Sequence, residues 1–182
     1  VAAICVYCAS SERIEARYVE LATSVGTELA RRGHTLVTGG GRVSMMGAVA
    51  RAARDGGART IGVIPAALRD LEVADTDSDE LIVTGTMRER KAEMDDRADA
   101  FLALPGGVGT LEELFEVWTS RTLVFHSKPV VLLDPEGFYT PLLDWLRQLV
   151  DDGFVRTSAL ELLYVAKTVT EALDACEEGL AG

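Results

Sequence analysis

The chain has 182 residues, with 18 Lys and Arg against 29 Asp and Glu, giving a net charge of −11. This length suits one α/β domain spanning residues 1–182, and an apolar fraction of 48 % excludes a disordered chain. So negative a chain is not a general DNA or RNA binder, which works by neutralising phosphates, and it is ill suited to anionic membranes. No apolar stretch reaches the roughly 18 residues of a spanning helix. The first residues, Val1-Ala2-Ala3-Ile4, lack the basic start and apolar run of a signal peptide, so a cytoplasmic location is expected.

Short apolar runs alternate with helical patterns along the chain. The first strand is expected at 3–8 and contains Cys5 and Cys8. Residues three apart in a strand point to opposite faces, so this pair reads as two core thiols rather than a redox or metal motif. A helix follows at 16–32, a strand at 35–38 and a helix at 44–55. Strands at 60–64 and 80–83 flank an irregular stretch, 65–79, expected to form a long loop or a short extra helix. Then come a helix at 88–97, a strand at 100–104 and a helix at 110–123 with Leu111, Leu114, Phe115 and Trp118 at helical spacing. A strand at 129–133, a helix at 139–151, a strand at 162–165 and a helix at 169–178 complete the chain. Seven strands alternating with helices imply crossover units, hence a mostly parallel sheet covered on both faces.

Ligands in such sheets bind beyond the carboxyl ends of the strands. The first strand is followed by Ala9-Ser10-Ser11. The second is followed by Gly39, Gly40 and Gly41, leading through Arg42-Val43-Ser44-Met45-Met46-Gly47 into a helix. The fifth is followed by Pro105-Gly106-Gly107-Val108-Gly109-Thr110. Glycine loops opening onto helix N-termini let backbone N–H groups approach an anion, so two of them point to a phosphate. Neither fits a dinucleotide fingerprint, because Ser44 stands where its last glycine belongs, nor a Walker loop, which needs Gly-Lys-Ser/Thr. Residues 31–69 hold seven Arg and one acid, Asp55, which agrees with a phosphate nearby, although five or six of these Arg are expected to line solvated helix faces. The acids gather instead at 70–80, read as lying away from the glycine loops.

Met87-Arg88-Glu89-Arg90-Lys91 opens the next helix. Cations in a first turn face the unfavourable end of the helix dipole. Arg88, Arg90 and Lys91 are therefore informative, and one of them is expected to reach a ligand anion or a carboxylate. Thr110 and Glu113 are three apart on one helix face. If Thr110 holds a phosphate, Glu113 lies one turn behind it, about 5 Å along the axis.

Pro105-Gly106-Gly107-Val108-Gly109-Thr110-Leu111-Glu112-Glu113 resembles the Pro-Gly-Gly-x-Gly-Thr-x-x-Glu signature of the LONELY GUY (LOG) family. The resemblance extends to Tyr7-Cys8-Ala9-Ser10-Ser11, to the segment from Gly39 to Gly47, to Met87-Arg88-Glu89-Arg90-Lys91 and to His126-Ser127-Lys128-Pro129. It implies a Rossmann-like three-layer sandwich, a homodimer and no metal or organic cofactor. It also implies a hydrolase that cleaves the N-glycosidic bond of N6-substituted AMP (a cytokinin riboside 5′-monophosphate), releasing the base and ribose 5-phosphate, with AMP as a further substrate. The family's catalytic pair maps onto Arg90 and Glu113. Phosphate and substrate binding fall to Ser10, Gly39, Gly40, Gly41, Lys91, Gly106, Gly107, Gly109 and Thr110, and Met87, Met94 and Trp118 are candidates for an apolar substituent pocket. The partner so implied is a small nucleotide, not a nucleic-acid polymer or a membrane.

The sequence departs from the family pattern at three places. Arg88 replaces the usual His, Arg42-Val43-Ser44-Met45 replaces the commoner Ser-Val-Gly-Leu, and Thr119-Ser120-Arg121-Thr122 replaces an Ala-Gln-Leu-rich stretch. The alternative is a non-enzymatic nucleotide or cofactor carrier, since molybdenum cofactor carriers share the glycine loops. Lysine decarboxylation, an older label for the family, is disfavoured because Lys91, Lys128 and Lys167 lie in no recognisable motif for a Schiff-base lysine.

Overall fold

The computed structural model describes residues 1–71 and 73–181. The strands are β1 (Ala3–Tyr7), β2 (Thr35–Thr38), β3 (Thr60–Pro65), β4 (Glu80–Thr84), β5 (Ala100–Ala103), β6 (Val130–Leu133) and β7 (Leu163–Ala166). The helices are α1 (Ala16–Arg31), α2 (Ser44–Asp55), α3 (Met87–Arg97), α4 (Val108–Thr122), α5 (Thr140–Asp151), α6 (Thr157–Glu161) and α7 (Val169–Ala181). The strands form one sheet in the order β4-β3-β2-β1-β5-β6-β7, and every pairing is parallel.

Alternation along the strands divides the core in two. Ile4, Val6 and Cys8 face α1, α2 and α7, whereas Cys5 and Tyr7 face the layer that supplies Met94, Leu114 and Leu143 from α3, α4 and α5. The two thiols are buried, unbridged and on opposite faces, as the strand reading requires. Ser, Ala and Gly in α1 and α2 let these helices pack closely: a side chain at Gly26 would run into Ala52 and Ala53.

Three differences from the sequence reading bear on the site. First, α4 begins at Val108, two residues earlier than expected, which puts Gly109 and Thr110 inside its first turn. Second, the short extra helix expected in the 65–79 stretch is one 3-10 turn, Ala66–Leu68, and Pro65 before it belongs to β3. Third, the stretch that follows lies against the first glycine loop rather than away from it. Ala74 bridges Gly41, the Arg42 N–H donates to the Val73 carbonyl at 2.8 Å, and the Asp75 N–H donates to the Gly40 carbonyl at 2.8 Å. The acids are drawn in because Asp75, only 2 % exposed, accepts two hydrogen bonds from Arg54, at 2.7 and 3.2 Å. The short helix α6 was not foreseen. At five residues it is too brief to show a helical period.

Candidate active site

The chain builds outward from β1 to β4, then returns to the other side of β1 with β5. Such a reversal opens a crevice beyond the strand ends. A cleft of about 240 Å³ occupies that place. Cys8, Ala9, Ser10 and Ser11 after β1 form one wall, and Gly107, Gly109 and Thr110 of α4 form the facing one. Met87 and Arg90 of α3, Met46 of α2 and Glu112 and Glu113 of α4 complete the lining.

The α4 wall is suited to an anion. Gly107 caps the helix, and its first N–H groups have no acceptor within the helix. A side chain at 107 or 109 would meet nothing within 4 Å, so the approach to those groups is open. The positive end of the helix dipole lies behind them. Gly106 sits one layer back, covered by the Thr110 side chain. Beneath the loop, the Tyr139 hydroxyl donates to the Leu104 carbonyl at 2.6 Å.

Arg90 is buried, with 4 % exposure. A charge so placed must be hydrogen-bonded. Its Nε donates to the Val63 carbonyl at 3.0 Å and its Nη2 to the Gly39 carbonyl at 2.6 Å. Gly39 has no side chain because the guanidinium fills that space. Gly40 turns through φ +75° and lies against Gly62 and Val63, where a side chain would crowd β3. The N–H groups of Gly40 and Gly41 are spent on Thr38 Oγ1 (3.2 Å) and Met46 sulfur (3.0 Å). All three glycines are buried, and none lines the cleft. The first glycine loop thus forms a socket for Arg90.

The seven arginines of 31–69 do not line the cleft either. Arg31 and Arg32 pair with Glu28, Arg54 with Asp75 and Arg59 with Glu80. Most of these arginines are expected on solvated helix faces, and the fold holds Arg31, Arg32, Arg54 and Arg59 in ion pairs away from the cleft.

Lys91 lies in an adjoining recess of about 170 Å³, together with Arg88, Asp95 and Glu116. It bridges α3 to α4 through Glu112 and Glu116, and hydrogen bonding to these carboxylates raises its pKa above the usual lysine range. Glu113 borders both spaces. Ser10, Met87, Arg90, Gly107, Gly109, Thr110 and Glu113 are therefore brought together, with Lys91 next door and Gly39, Gly40, Gly41 and Gly106 behind the walls. Sequence reasoning missed Met46 and Cys8 as lining residues. Burial pushes the Cys8 thiol well up, so it is protonated at neutral pH and is no nucleophile. Met94 is core, and Trp118 faces a separate groove, its Nε1 donating to the Ala159 carbonyl at 2.8 Å. Among the described residues, no cluster of three or more His, Cys, Asp or Glu side chains could hold a metal ion. No helix there is long and apolar enough to cross a membrane.

A parallel sheet with an open helix N-terminus, a buried arginine and a carboxylate at its switch point defines a three-layer α/β protein with an anion-ready cleft. Comparisons with known proteins narrow this. Residues 46–176 match the model of the family described as possible lysine decarboxylase. The cytokinin riboside 5′-monophosphate phosphoribohydrolase of Mycobacterium tuberculosis is 55 % identical, over 95 % of this chain and 92 % of that one. The enzyme so named from Oryza sativa subsp. japonica is 46 % identical, over 96 % of this chain and 72 % of that one. The molybdenum cofactor carrier protein of Chlamydomonas reinhardtii matches 100 % of this chain and 99 % of its own, with a TM-score of 0.75 and 24 % identity, and shows the shared fold. The chain belongs to the LOG family of phosphoribohydrolases.

Proposed function

We propose that the protein hydrolyses the N-glycosidic bond of N6-substituted AMP, releasing the free base and ribose 5-phosphate, with AMP as a further substrate to be tested. The observation that carries this reading is that Arg90 and Glu113 line the same cleft as the open first turn of α4. In this reading the 5′-phosphate sits at Gly107, Gly109 and Thr110, facing Ser10. Binding energy gathered there holds the sugar against Glu113, one helical turn along. Breaking the bond from C1′ to the base leaves its electron pair on the base and an oxocarbenium-like sugar. The Glu113 carboxylate stabilises that cation or activates the water that adds to C1′, and a proton passes to the departing base. Arg90, fixed by two backbone carbonyls, orients the carboxylate or the substrate by charge-assisted hydrogen bonds. Lys91 holds α3 to α4 and so keeps the two in register. Met46 and Met87 offer an apolar side to the substituent.

Incubation with isopentenyladenosine monophosphate and with AMP, followed by chromatography, tests this reading. Base and ribose 5-phosphate are expected in equal amounts, and Glu113→Gln should retain the fold and lose at least about 10²-fold in kcat. Tight binding without base release would instead favour a carrier. The three lysines give no support to decarboxylation, since Lys91, Lys128 and Lys167 are each ion-paired, with Glu112 and Glu116, Asp95 and Asp134 respectively.

The reading also includes a homodimer. An apolar groove of about 700 Å³ between α4, α5 and α6 is lined by Phe115, Trp118, Leu123, Trp145 and Phe154, of which Phe154 is 82 % exposed. Apolar side chains left exposed side by side, Trp145 and Phe154 among them, support a contact between two copies on this face. Light scattering should give twice the chain mass.

A further inference from the structure

We infer that Ser44 is a positioning residue for the phosphate end of the substrate, acting through the loop that carries Ser10. The inference rests on the hydrolase reading above for the identity of the ligand but not for the geometry. Ser44 opens α2 at φ +54°, a left-handed conformation that strains a residue bearing a Cβ. Glycine would adopt that φ freely. Strain retained where a glycine would relieve it points to something the side chain does. Its Oγ donates to the Ser11 carbonyl at 2.6 Å. Two residues on, the Met46 N–H donates to the Ala9 carbonyl at 3.3 Å.

The first turn of α2 therefore grips the carbonyls on both sides of Ser10. Ser10 is the residue between those anchors, and it lines the cleft opposite Gly107, Gly109 and Thr110. One of the two anchors is a backbone N–H that any residue supplies. The other exists only because position 44 has a hydroxyl. Without it, the Ser11 carbonyl loses its hydrogen bond to α2, and Ser10 is free to swing from the facing wall. The effect falls on binding of the phosphate rather than on the sugar chemistry at Glu113, which stands on another helix.

Two variants of the intact protein separate this role from a merely structural one. Ser44→Gly loses the hydroxyl and relieves the strain, while Ser44→Ala loses the hydroxyl and keeps the strain. Ribose 5-phosphate is the equilibrium probe, with Kd measured by calorimetry, and AMP or isopentenyladenosine monophosphate is the kinetic one. Both variants should weaken ribose 5-phosphate binding and raise KM by roughly five- to tenfold, the worth of one hydrogen bond, with kcat within about twofold of the wild type. Ser44→Gly should melt no lower than the wild type, and Ser44→Ala below it. If Kd and KM follow the melting temperature, so that Ser44→Gly binds like the wild type, Ser44 is only structural and the inference is overturned. It is also overturned if kcat falls while KM holds. Should the wild type bind ribose 5-phosphate yet release no base, the hydrolase reading fails, and the calorimetric comparison still decides the role of Ser44.

Discussion

The two glycine loops look alike on the page and do opposite work. In the second loop Thr110 covers Gly106, but Gly107 and Gly109 face open space, with nothing of the protein within 4 Å of a side chain built there. The loop at Gly39, Gly40 and Gly41 gives its space to the protein itself, to the Arg90 guanidinium and to β3. Absence of a Cβ serves both purposes. What separates them is whether the N–H groups are already spent, as those of Gly40 and Gly41 are.

Substitutions should divide along that line. The largest effect is expected from Asp75→Ala, which leaves Arg54 unpaired beneath the first loop. Breaking so buried a pair should cost roughly 3 kcal/mol in denaturant unfolding. Gly39→Ala comes next. Its methyl group collides with Arg90, so kcat should fall by about 10²-fold through a misplaced guanidinium, with a smaller change in KM. Gly107→Ala should do the reverse. Its methyl group enters open space, so the melting temperature should hold while KM rises by about fivefold, the cost of a crowded anion site. If Gly107→Ala proves as destabilising as Gly39→Ala, the distinction between the loops collapses.

Acid should act more weakly, and on the first loop alone. Hydrogen bonds from the Thr60 N–H and hydroxyl hold Asp79 below its usual carboxylate range. A depressed pKa contributes stability above the unfolded value, here 3.8, and loses it as pH falls through the folded one. Below pH 3.8, amide exchange should therefore quicken in residues 73–80 and at Gly41 and Arg42, which pair with that segment, before it does at Gly106 to Gly109.

Much of the fold could be read from sequence. Apolar runs such as 35–38 and helical spacing such as 44–55 gave β2 and α2 to the residue, because both elements end at glycine or polar breaks. Arg88, Arg90 and Lys91 stood out together because cations opening a helix oppose the dipole, and hydrogen bonds to the Val63 and Gly39 carbonyls explain why the buried Arg90 is tolerated. The sealing of the first loop could not be read. Local pattern does not reveal that β4 pairs outside β3, and it is this pairing that carries Asp75 back over Gly40. The partners of the basic stretch were hidden for the same reason, since a count of arginines does not show which acids will meet them.

The apolar groove has a practical consequence. Both tryptophans of the chain line it, Trp118 buried with its indole N–H bonded and Trp145 largely exposed, and neither lines the cleft. Intrinsic fluorescence therefore reports on that face and stays blind to the nucleotide. Iodide should quench Trp145 in separated chains, and shielding from iodide on concentration would show when the groove is covered, without any label attached.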